Sequence, residues 1–418
     1  VVFEETDANG VKQIWYRDTV VGSQPILVSR NIDSNSTSNV GGNQNSLRPR
    51  ISGDGRIITF HSRASDLVPN DKNEHADVFR YKTLNGQVIR ALNAGTNQEP
   101  NGASLYPDIN FDGSKIVFHS TATNLPADGT TTTGQQIFLW DTNIGTYGTI
   151  YAITEGNNHS REVSIDDTGS TILFSSDATD LDDFKADNNG KSDVYAHDLA
   201  TGRTWIGSLN PRTETPGNGV SDQPAISGDG QSFVFRSESS DFVRNRGISS
   251  VKVVRGGVGY FGNPKALVSD DFGAGEGAIL SLENAIDAYG QIMPGKIEIV
   301  NPGNNYVSPI VEVIADSPIG IPTVIAEIEA YLSHPEGEVY HAELGNPGEY
   351  NVVAGSLKRV SESVNGVGGN EPSKDPQINY LGSRIVFSSK ASNLLPDSIS
   401  RPDGTTFLNR PSSMAKAK

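Results

Sequence analysis

Two loops of this chain combine acidic and amide side chains at the same spacing, Asp-x-Asn-x-x-x-Asp. Calcium takes six to eight oxygen ligands, which carboxylates, amide carbonyls and backbone carbonyls can supply. Three oxygen-bearing side chains in one short loop provide about half of such a shell. The sequence therefore predicts Ca²⁺ as a cofactor. The predicted ligands are Asp71, Asn73 and Asp77 in one loop and Asp187, Asn189 and Asp193 in the other.

A second interpretation of these loops needs no metal. Asp and Asn stabilise turns by accepting hydrogen bonds from nearby backbone amides. The loops are not EF-hands, because Lys191 occupies the fifth position of the 187 loop and no Glu follows at the twelfth. Residues 7–13 carry a partial version of the pattern, and "ADGTTTTGQQ" at 127–136 lacks it. A calcium site and a polar turn both remain open.

The elements that position these loops recur along the chain. Segments resembling "SLRPRISGDGRIITFHSRASDL" begin at Ser46, Ser104, Ser160, Ser221 and Ser373. Each has a Gly-containing turn, an apolar strand, a polar loop and then an aromatic strand such as "DVFRYKTLNG". The shared aromatic residues are Phe3, Phe60, Phe118, Phe174, Phe235 and Phe387. Four short strands per unit of 56 to 61 residues predict an all-β fold, a β-propeller of about six blades.

The repeated motif P-x-[IV]-S-x-D-G-x-x-[IV]-x-F-x-S, followed by A-[ST]-[DN]-L and D-V-[FY], resembles the WD-like repeat of TolB-type β-propellers. The resemblance covers residues 1–246 and 337–410. It implies a propeller fold. It leaves function open, because such propellers include periplasmic partner-binding proteins, peptidase-associated domains and lyases.

An insertion interrupts the fifth repeat. We expect propeller repeats over 1–247, an inserted β module over 248–336, and the remaining propeller strands over 337–418. The insertion itself repeats, with Tyr260 and Tyr306 at matching places, which predicts internal two-fold repetition. Its "GGVGY" stretch resembles the GGxGY-type β modules of bacterial surface proteins and phage fibres.

Composition excludes several classes of protein. The formal net charge of −17 disfavours binding to nucleic acid and to anionic membranes. The sequence contains no run of eighteen apolar residues, so it predicts no membrane-spanning helix. The absence of Cys rules out disulfides and thiol chemistry. The first residues do not resemble a signal peptide, so we expect a processed chain or a fragment.

The sequence gives little support for catalysis. It has no G-x-S-x-G motif, no zinc-binding His spacing and no nucleotide-binding loop. The position after each repeat Phe predicts a ring of side chains around the propeller axis, either a polar channel lining or a ligand site. Its members are Glu4, His61, His119, Ser175, Arg236 and Ser388.

These features favour a non-enzymatic extracellular scaffold or binding protein of a surface, filament or virion assembly. The propeller would be its platform and the insertion its contact module. The expected partners are proteins, including copies of the chain itself, because incomplete first and last blades would expose edge strands. Glycan binding also remains open. The alternatives are a propeller hydrolase or lyase acting on a polysaccharide, and a periplasmic partner-binding propeller.

Overall fold

A computed structural model of the protein describes most of the chain. The described residues are 1–33, 40–93, 96–145, 147–242, 247–270, 275–304, 306, 309–316, 322–332, 337–346, 348–362, 368–369, 371–391, 394 and 405–409. All regular elements within these ranges are β-strands joined by turns. The predicted all-β class is confirmed.

The strands of the first four sheets follow one another in chain order. They are β1 Val2–Thr6, β2 Lys12–Tyr16, β3 Ile26–Leu27, β4 Ser46–Ile51, β5 Ile57–Ser62, β6 Asp77–Lys82, β7 Gln87–Arg90, β8 Ser104–Ile109, β9 Lys115–Ser120, β10 Gln136–Asp141, β11 Thr149–Ala152, β12 Ser160–Ile165, β13 Thr171–Ser176, β14 Asp193–Asp198 and β15 Arg203–Ile206. They form the antiparallel sheets β1-β2-β3, β4-β5-β6-β7, β8-β9-β10-β11 and β12-β13-β14-β15.

The remaining strands complete two more sheets of this kind and one of another kind. They are β16 Ser221–Ile226, β17 Ser232–Ser237, β18 Ile248–Arg255, β19 Lys265–Asp270, β20 Glu276–Ser281, β21 Glu298–Asn304, β22 Pro309–Ile314, β23 Glu327–Leu332, β24 Glu338–Glu343, β25 Lys358–Arg359, β26 Ser373–Ile378, β27 Ile385–Ser389 and β28 Thr405–Asn409. The fifth sheet is β16-β17-β24-β25 and the sixth is β26-β27-β28. Strands β18 to β23 lie between β17 and β24 in the chain and form a sheet of their own.

Consecutive sheets pack as the blades of a propeller do. In the first sheet, β1, β2 and β3 correspond to the second, third and fourth strands of the other sheets, because β1 carries the repeat residue Phe3. With the strands counted in this way, the first strand of each sheet contacts the second strand of the preceding sheet, from β4 on β1 to β26 on β17. The repeat Phe residues of β5, β9, β13 and β17 are fully buried in these contacts. Burial of such large aromatic side chains is the dominant stabilising term between the sheets.

The hairpins that join the first and second strands are linked by a belt of backbone hydrogen bonds. Asp54 N–H donates to Phe111 O, and Phe111 N–H donates to Asp167 O. Asp167 N–H donates to Gly228 O, and Asp229 N–H donates to Tyr380 O. Each of these four N···O distances is 3.0 Å. The belt joins five consecutive hairpins and fixes the spacing of the blades.

Every described first strand also carries the same bulge. Its register shifts by one residue at the third position, where a residue other than Gly adopts a positive φ of 51° to 55°. Such a conformation is unfavourable for L side chains. Five serine pairs of 2.9 to 3.0 Å hold the start of these strands to the end of the second strands. The five bulge residues are Arg48, Tyr106, Glu162, Gln223 and Asp375.

The β18–β23 sheet has a two-fold strand order, β18-β23-β22-β19-β20-β21. Exchanging β18 with β21, β19 with β22 and β20 with β23 reverses the order onto itself. The Tyr260 hydroxyl accepts from Ala326 N–H at 3.0 Å, and the Tyr306 hydroxyl accepts from Ala278 N–H at 3.2 Å. Each half of the module therefore anchors a strand of the other half. Because a Cβ on the glycine three residues before each Tyr would lie 2.6 Å from its ring, the GGxGY spacing leaves room for the ring.

Candidate functional site

The first predicted calcium loop surrounds a protein cation. Arg90, on β7, places its Nη1 2.6 Å from Asp71 Oδ1 and 3.1 Å from Asp77 Oδ2. Its Nη2 lies 2.7 Å from Glu99 Oε1. Arg90, Asp71 and Asp77 are at most 5% exposed, so the guanidinium neutralises these carboxylates inside the protein.

The amide of each predicted loop offers its NH₂ group to the aspartate. Asn73 Nδ2 donates to both Asp77 oxygens at 3.1 Å and to Pro100 O at 3.0 Å. Asn189 Nδ2 donates to Asp193 Oδ2 at 2.6 Å and to Gly217 O at 2.8 Å. Each amide thus bridges a buried aspartate to the backbone just before the next first strand.

In two other sheets, one glutamine per sheet makes the equivalent contact to the backbone. Gln13 Nε2 donates to Gly42 O at 2.8 Å, and Gln136 Nε2 donates to Gly156 O at 3.2 Å. Both glutamines begin the third strand region of their sheets, where Asp77 and Asp193 stand in the others. We call this contact the amide clasp: an NH₂ group that joins the start of a third strand to the carbonyl four residues before the next first strand. The clasp pairs are Gln13 with Gly42, Asn73 with Pro100, Gln136 with Gly156, and Asn189 with Gly217. The recurring Asn-x-x-x-Asp spacing therefore has a structural role.

The second predicted loop has no cation of its own among the described residues. Asp193 is fully buried and accepts hydrogen bonds from Asn189 and from Ser208 Oγ, the latter at 2.6 Å. Asp187 is 4% exposed and accepts from the Tyr195 hydroxyl at 2.6 Å. Burial is the main cause that raises the pKa of Asp193 to about 7; the hydrogen bond from Ser208 opposes this rise and the charge of Asp187 contributes to it. Glu338, at the same position of the fifth sheet, has Arg359 3.3 Å away.

Acidic side chains alone do not form a metal site in the described residues of either loop. Across the described ranges, no three His, Cys, Asp or Glu side chains are grouped so as to hold a metal ion. Of the two loops, the Asp187–Asp193 loop retains uncompensated negative charge, so the calcium prediction concerns this loop most directly. The prediction stands as a proposal there.

The pH dependence of the free energy of unfolding should reveal the raised pKa of the Asp193 carboxyl. Its pKa is raised on folding, so the native state binds more protons than the unfolded state between about pH 4 and 7. The free energy of unfolding should therefore fall as pH rises through this window, by at most about 1.4 kcal/mol per pH unit from this group. Urea denaturation of the wild type and of Asp193→Asn at pH 5 and 7.5 measures the difference, which should be smaller in the variant. An equal pH dependence in both proteins would contradict the assignment. If Ca²⁺ replaces the proton, it should raise Tm in the wild type and leave Asp193→Asn unchanged.

The two histidines of the predicted axial ring flank one tyrosine. The Tyr106 ring centroid lies 5.6 Å from that of His61 and 5.2 Å from that of His119. Arg48 lies over the same ring, 5.0 Å from its centroid, and His61 Nδ1 accepts from Tyr106 N–H at 3.3 Å. Burial lowers the pKa of both histidines to about 4, so they are neutral at pH 7.

Three of the other predicted ring members also contact bulge residues or their neighbours. Glu4 Oε1 accepts from Arg48 N–H at 2.8 Å, and Ser175 Oγ donates to Glu162 at 3.0 Å. Arg236 pairs with Asp222 at 2.6 Å and with Glu238. These side chains support the strained bulges between the sheets.

A cavity of about 300 Å³ lies at the hairpin end of the first strands. Arg50, Asp108, Asp167, Gln377 and Tyr380 are among its lining residues, and Asp108 is 3.4 Å from Arg50 Nε. Burial, followed by the charges of Asp166 and Asp108, raises the pKa of Asp167. A polysaccharide-cleaving site that used the ring histidines would need facing carboxylates beside His61 and His119. The structure places Asp108 near the hairpin ends of the strands and both histidines at the opposite ends.

The residues that sequence reasoning missed are the partners of the aspartates. Arg90 occupies a fourth-strand position that Ala152 and Ile206 fill in the next two sheets. Arg359 fills the same register position in the fifth sheet, where Glu338 begins the third strand. A basic residue across from an acidic one, at a position that the other sheets keep apolar, was the available signal for a buried ion pair. Gln136 could have been found as the residue aligned with Asp77 and Asp193.

Comparisons with known proteins were made on sequence and on structure. No family model matches the chain, and no curated protein matches it. A putative TolB from Agrobacterium tumefaciens is similar over 89% of this chain and 76% of its own, at 10% identity and a TM-score of 0.38. TolB from Acinetobacter baumannii is similar over 76% of this chain and 61% of its own, at 14% identity and a TM-score of 0.33. Dipeptidyl peptidase 4 from Porphyromonas gingivalis is similar over 93% of this chain and 54% of its own, at 11% identity and a TM-score of 0.36. At these TM-scores the likenesses carry no argument about function.

Within the described residues there is no helix of the length and apolarity needed to cross a membrane.

Proposed function

We propose that this chain is a non-enzymatic propeller that binds a protein partner outside the cytoplasm. The outer face of the β18–β23 module is the contact surface, and the propeller sheets hold it. Periplasm and cell exterior are both compatible with the proposal, and fractionation of the producing cells distinguishes them.

The observation that carries the proposal is an apolar outer face on the module. Alternate residues of its strands point inward to a core that includes Leu280, Val311 and Ile328. The residues between them face solvent and include many large apolar side chains. Exposed apolar patches on a folded protein mark interaction surfaces. The outer-face residues are Val254, Leu267, Ile279, Val300, Ile310 and Ile314.

Charged residues alternate with the apolar residues on this face, since Leu267 pairs with Glu312 and Ile310 pairs with Glu329. Lys252 lies 3.9 Å from Glu329, and Arg255 lies 2.9 Å from Glu327. A surface of mixed apolar and charged side chains is typical of non-obligate protein–protein contacts. Exposed pairs of this kind contribute little to folding stability, so they are free to select a partner.

Site-specific photocrosslinking in the cells that produce the chain tests the proposal. A benzoylphenylalanine in place of Ile310 should give an adduct of one discrete mass, and Leu267→Glu should abolish it because a charge would enter the apolar contact. The mass shows whether the partner is a second copy or another protein. The control position is Leu84, which is 94% exposed but lies on a turn of the second sheet. Equal adducts from Leu84 and Ile310, or none from Ile310, would contradict the proposal.

A further inference from the structure

The cavity of about 300 Å³ at the hairpin end of the first strands is shared by five sheets. Its wall includes residues of β4, β8, β12, β16 and β26. Each of these strands forms an edge of its own sheet. An edge strand presents backbone N–H and C=O groups that its sheet leaves unpaired. The cavity wall therefore carries backbone donors and acceptors as well as side chains.

Two of these edge N–H groups are paired with side chains of the preceding first strand. Ile165 N–H donates to Asp108 Oδ2 at 3.1 Å, and Ile226 N–H donates to Ser164 Oγ at 3.4 Å. The next residue pair along each ladder is hydrogen-bonded, so by alternation the isoleucine N–H points away from its own second strand. In both cases the acceptor is the residue just before the equivalent isoleucine, one sheet earlier.

The equivalent N–H groups of Ile109 and Ile378 lack such an acceptor. The preceding first strands place Arg50 and Ala225 at the acceptor position, and neither side chain can accept a hydrogen bond. Ile109 and Ile378 have the same register with their second strands, so their N–H groups point the same way. Both residues line the cavity, and neither N–H has a hydrogen-bond partner among the described residues. Donors that sister sheets keep paired indicate a ligand that supplies the acceptor.

Arg50 presents further donors to the same cavity. Its Nε lies 3.4 Å from Asp108 Oδ1, and its side chain is 51% exposed. The two NH₂ groups of the guanidinium have no hydrogen-bond partner in the described ranges. A carboxylate matches such a fork, because its two oxygens can accept from a guanidinium in parallel. This side of the cavity therefore fits an anionic group.

Asp167 supplies the opposite charge and has no partner of its own. Its carboxylate makes neither a hydrogen bond nor an ion pair within the described part of the chain. A Cβ on Gly228 would lie 2.7 Å from Asp167 Oδ2, so this glycine leaves room for the carboxylate. The Tyr380 ring lies against the same glycine and is 54% exposed. Burial, followed by the charges of Asp166 and Asp108, raises the pKa of Asp167, so a cation beside it would be favourable.

We propose that this cavity binds a small zwitterion, a molecule with one carboxylate and one ammonium group. The carboxylate accepts from Arg50 and from an unpaired edge N–H. The ammonium donates to Asp167 beside the Tyr380 ring, whose face attracts cations. The charged residues of the lining are Arg50, Asp108 and Asp167, so a simple anion would meet two like charges and a simple cation would leave Arg50 unmatched. The proposal is independent of the partner surface on the β18–β23 module.

Isothermal titration of the full chain with glycine, 4-aminobutyrate and 6-aminohexanoate tests the proposal, because these zwitterions hold their two charges at increasing separations. At least one of them should bind saturably in the millimolar range. Butyrate and butylamine, which each carry a single charge, should bind about tenfold more weakly or worse. Arg50→Gln should weaken the zwitterion about tenfold without weakening butylamine, and Asp167→Asn should weaken it about tenfold without weakening butyrate.

The matched control is Arg56→Gln, which removes a cation that is 81% exposed and lies outside the cavity. It should bind as the wild type does, and melting curves verify that each variant is folded. Failure of all the zwitterions to bind saturably would overturn the proposal, as would butyrate or butylamine affinity equal to that of the best zwitterion. Both of these results need only the wild type, so they do not depend on the folding of a variant. Equal affinities in Arg50→Gln and Arg56→Gln would also overturn it.

Discussion

Replacing Arg90 by Met should lower the free energy of unfolding by about 3–5 kcal/mol. Arg90 is 4% exposed and is the cation that contacts Asp71 and Asp77. Without it, two buried carboxylates face each other with only the Asn73 amide beside them. Burial raises the pKa of Asp77 to about 7 even though the Arg90 charge opposes that shift. The loss should therefore shrink at pH 5, where Asp77 can take up a proton. Urea denaturation at pH 7.5 and pH 5 measures both effects.

The control for this prediction is Arg56→Met. Arg56 also sits beside an aspartate, Asp54, with 3.6 Å between Nε and Oδ2, but its side chain is 81% exposed. Such a surface pair contributes at most about 1 kcal/mol. Adding Asp71→Asn and Asp77→Asn to Arg90→Met should recover part of the lost stability, since the buried charges are then gone. A loss for Arg90→Met no larger than that for Arg56→Met would show that the cluster is not a buried charge network.

The strands of this fold could be predicted from the sequence because their signal is local and repeated. The Ser that starts each first strand, the Gly turn and the repeat Phe recur in register, so one unit supports the next. The Tyr260 and Tyr306 match likewise indicated the two-fold order of the β18–β23 sheet. The backbone belt between hairpins could not be predicted, because it joins residues that are distant in the chain through backbone groups that every residue carries.

The candidate site could be located in the sequence, but its chemistry could not be derived there. Spacing placed Asn73 near Asp77 and Asn189 near Asp193. Whether an amide presents its oxygen or its NH₂ depends on what faces it. The deciding groups are Pro100 O and Gly217 O, which lie 27 and 28 residues further along the chain. Such contacts come from the packing of one sheet on the next, which a single loop does not encode.

The apolar outer face of the β18–β23 module illustrates the same limit. Strands such as "KALVSD" and "PIVEVI" predict β structure through alternation or β-branched residues. Which face of each strand is covered depends on the pairing order. Ala266 and Val313 pair on the covered face, whereas Leu267 pairs with Glu312 on the open one. The contact surface is thus a property of the assembled sheet.

Replacing Gln136 by Leu should lower the free energy of unfolding by about 2–4 kcal/mol. Gln136 is fully buried, its Nε2 lies 2.8 to 3.2 Å from three backbone carbonyls, and its Oε1 accepts from Thr154 Oγ1 at 2.6 Å. Leu has a similar shape but satisfies none of these groups, so they stay buried and unpaired. Gln135→Leu is the control, because Gln135 is a partly exposed neighbour outside the clasp. Thermal and urea denaturation should separate the two variants clearly. Similar stabilities would show that the clasp does not hold the sheets.

We also expect that the Gln version of the clasp can be replaced by the Asn–Asp version. Gln136→Asp alone should be strongly destabilising, because it buries a carboxylate beside carbonyl oxygens. Adding Thr132→Asn restores the Asn-x-x-x-Asp spacing of the second and fourth sheets, with an NH₂ group that can bridge the new carboxylate to Gly156 O. The double variant should therefore be more stable than Gln136→Asp, although Thr132→Asn alone should be destabilising, since Thr132 is 2% exposed and donates to Ala122 O. A double-mutant cycle measures the coupling. Additive losses would mean that the third sheet cannot adopt the Asp–Asn clasp and that the shared spacing is local turn chemistry alone.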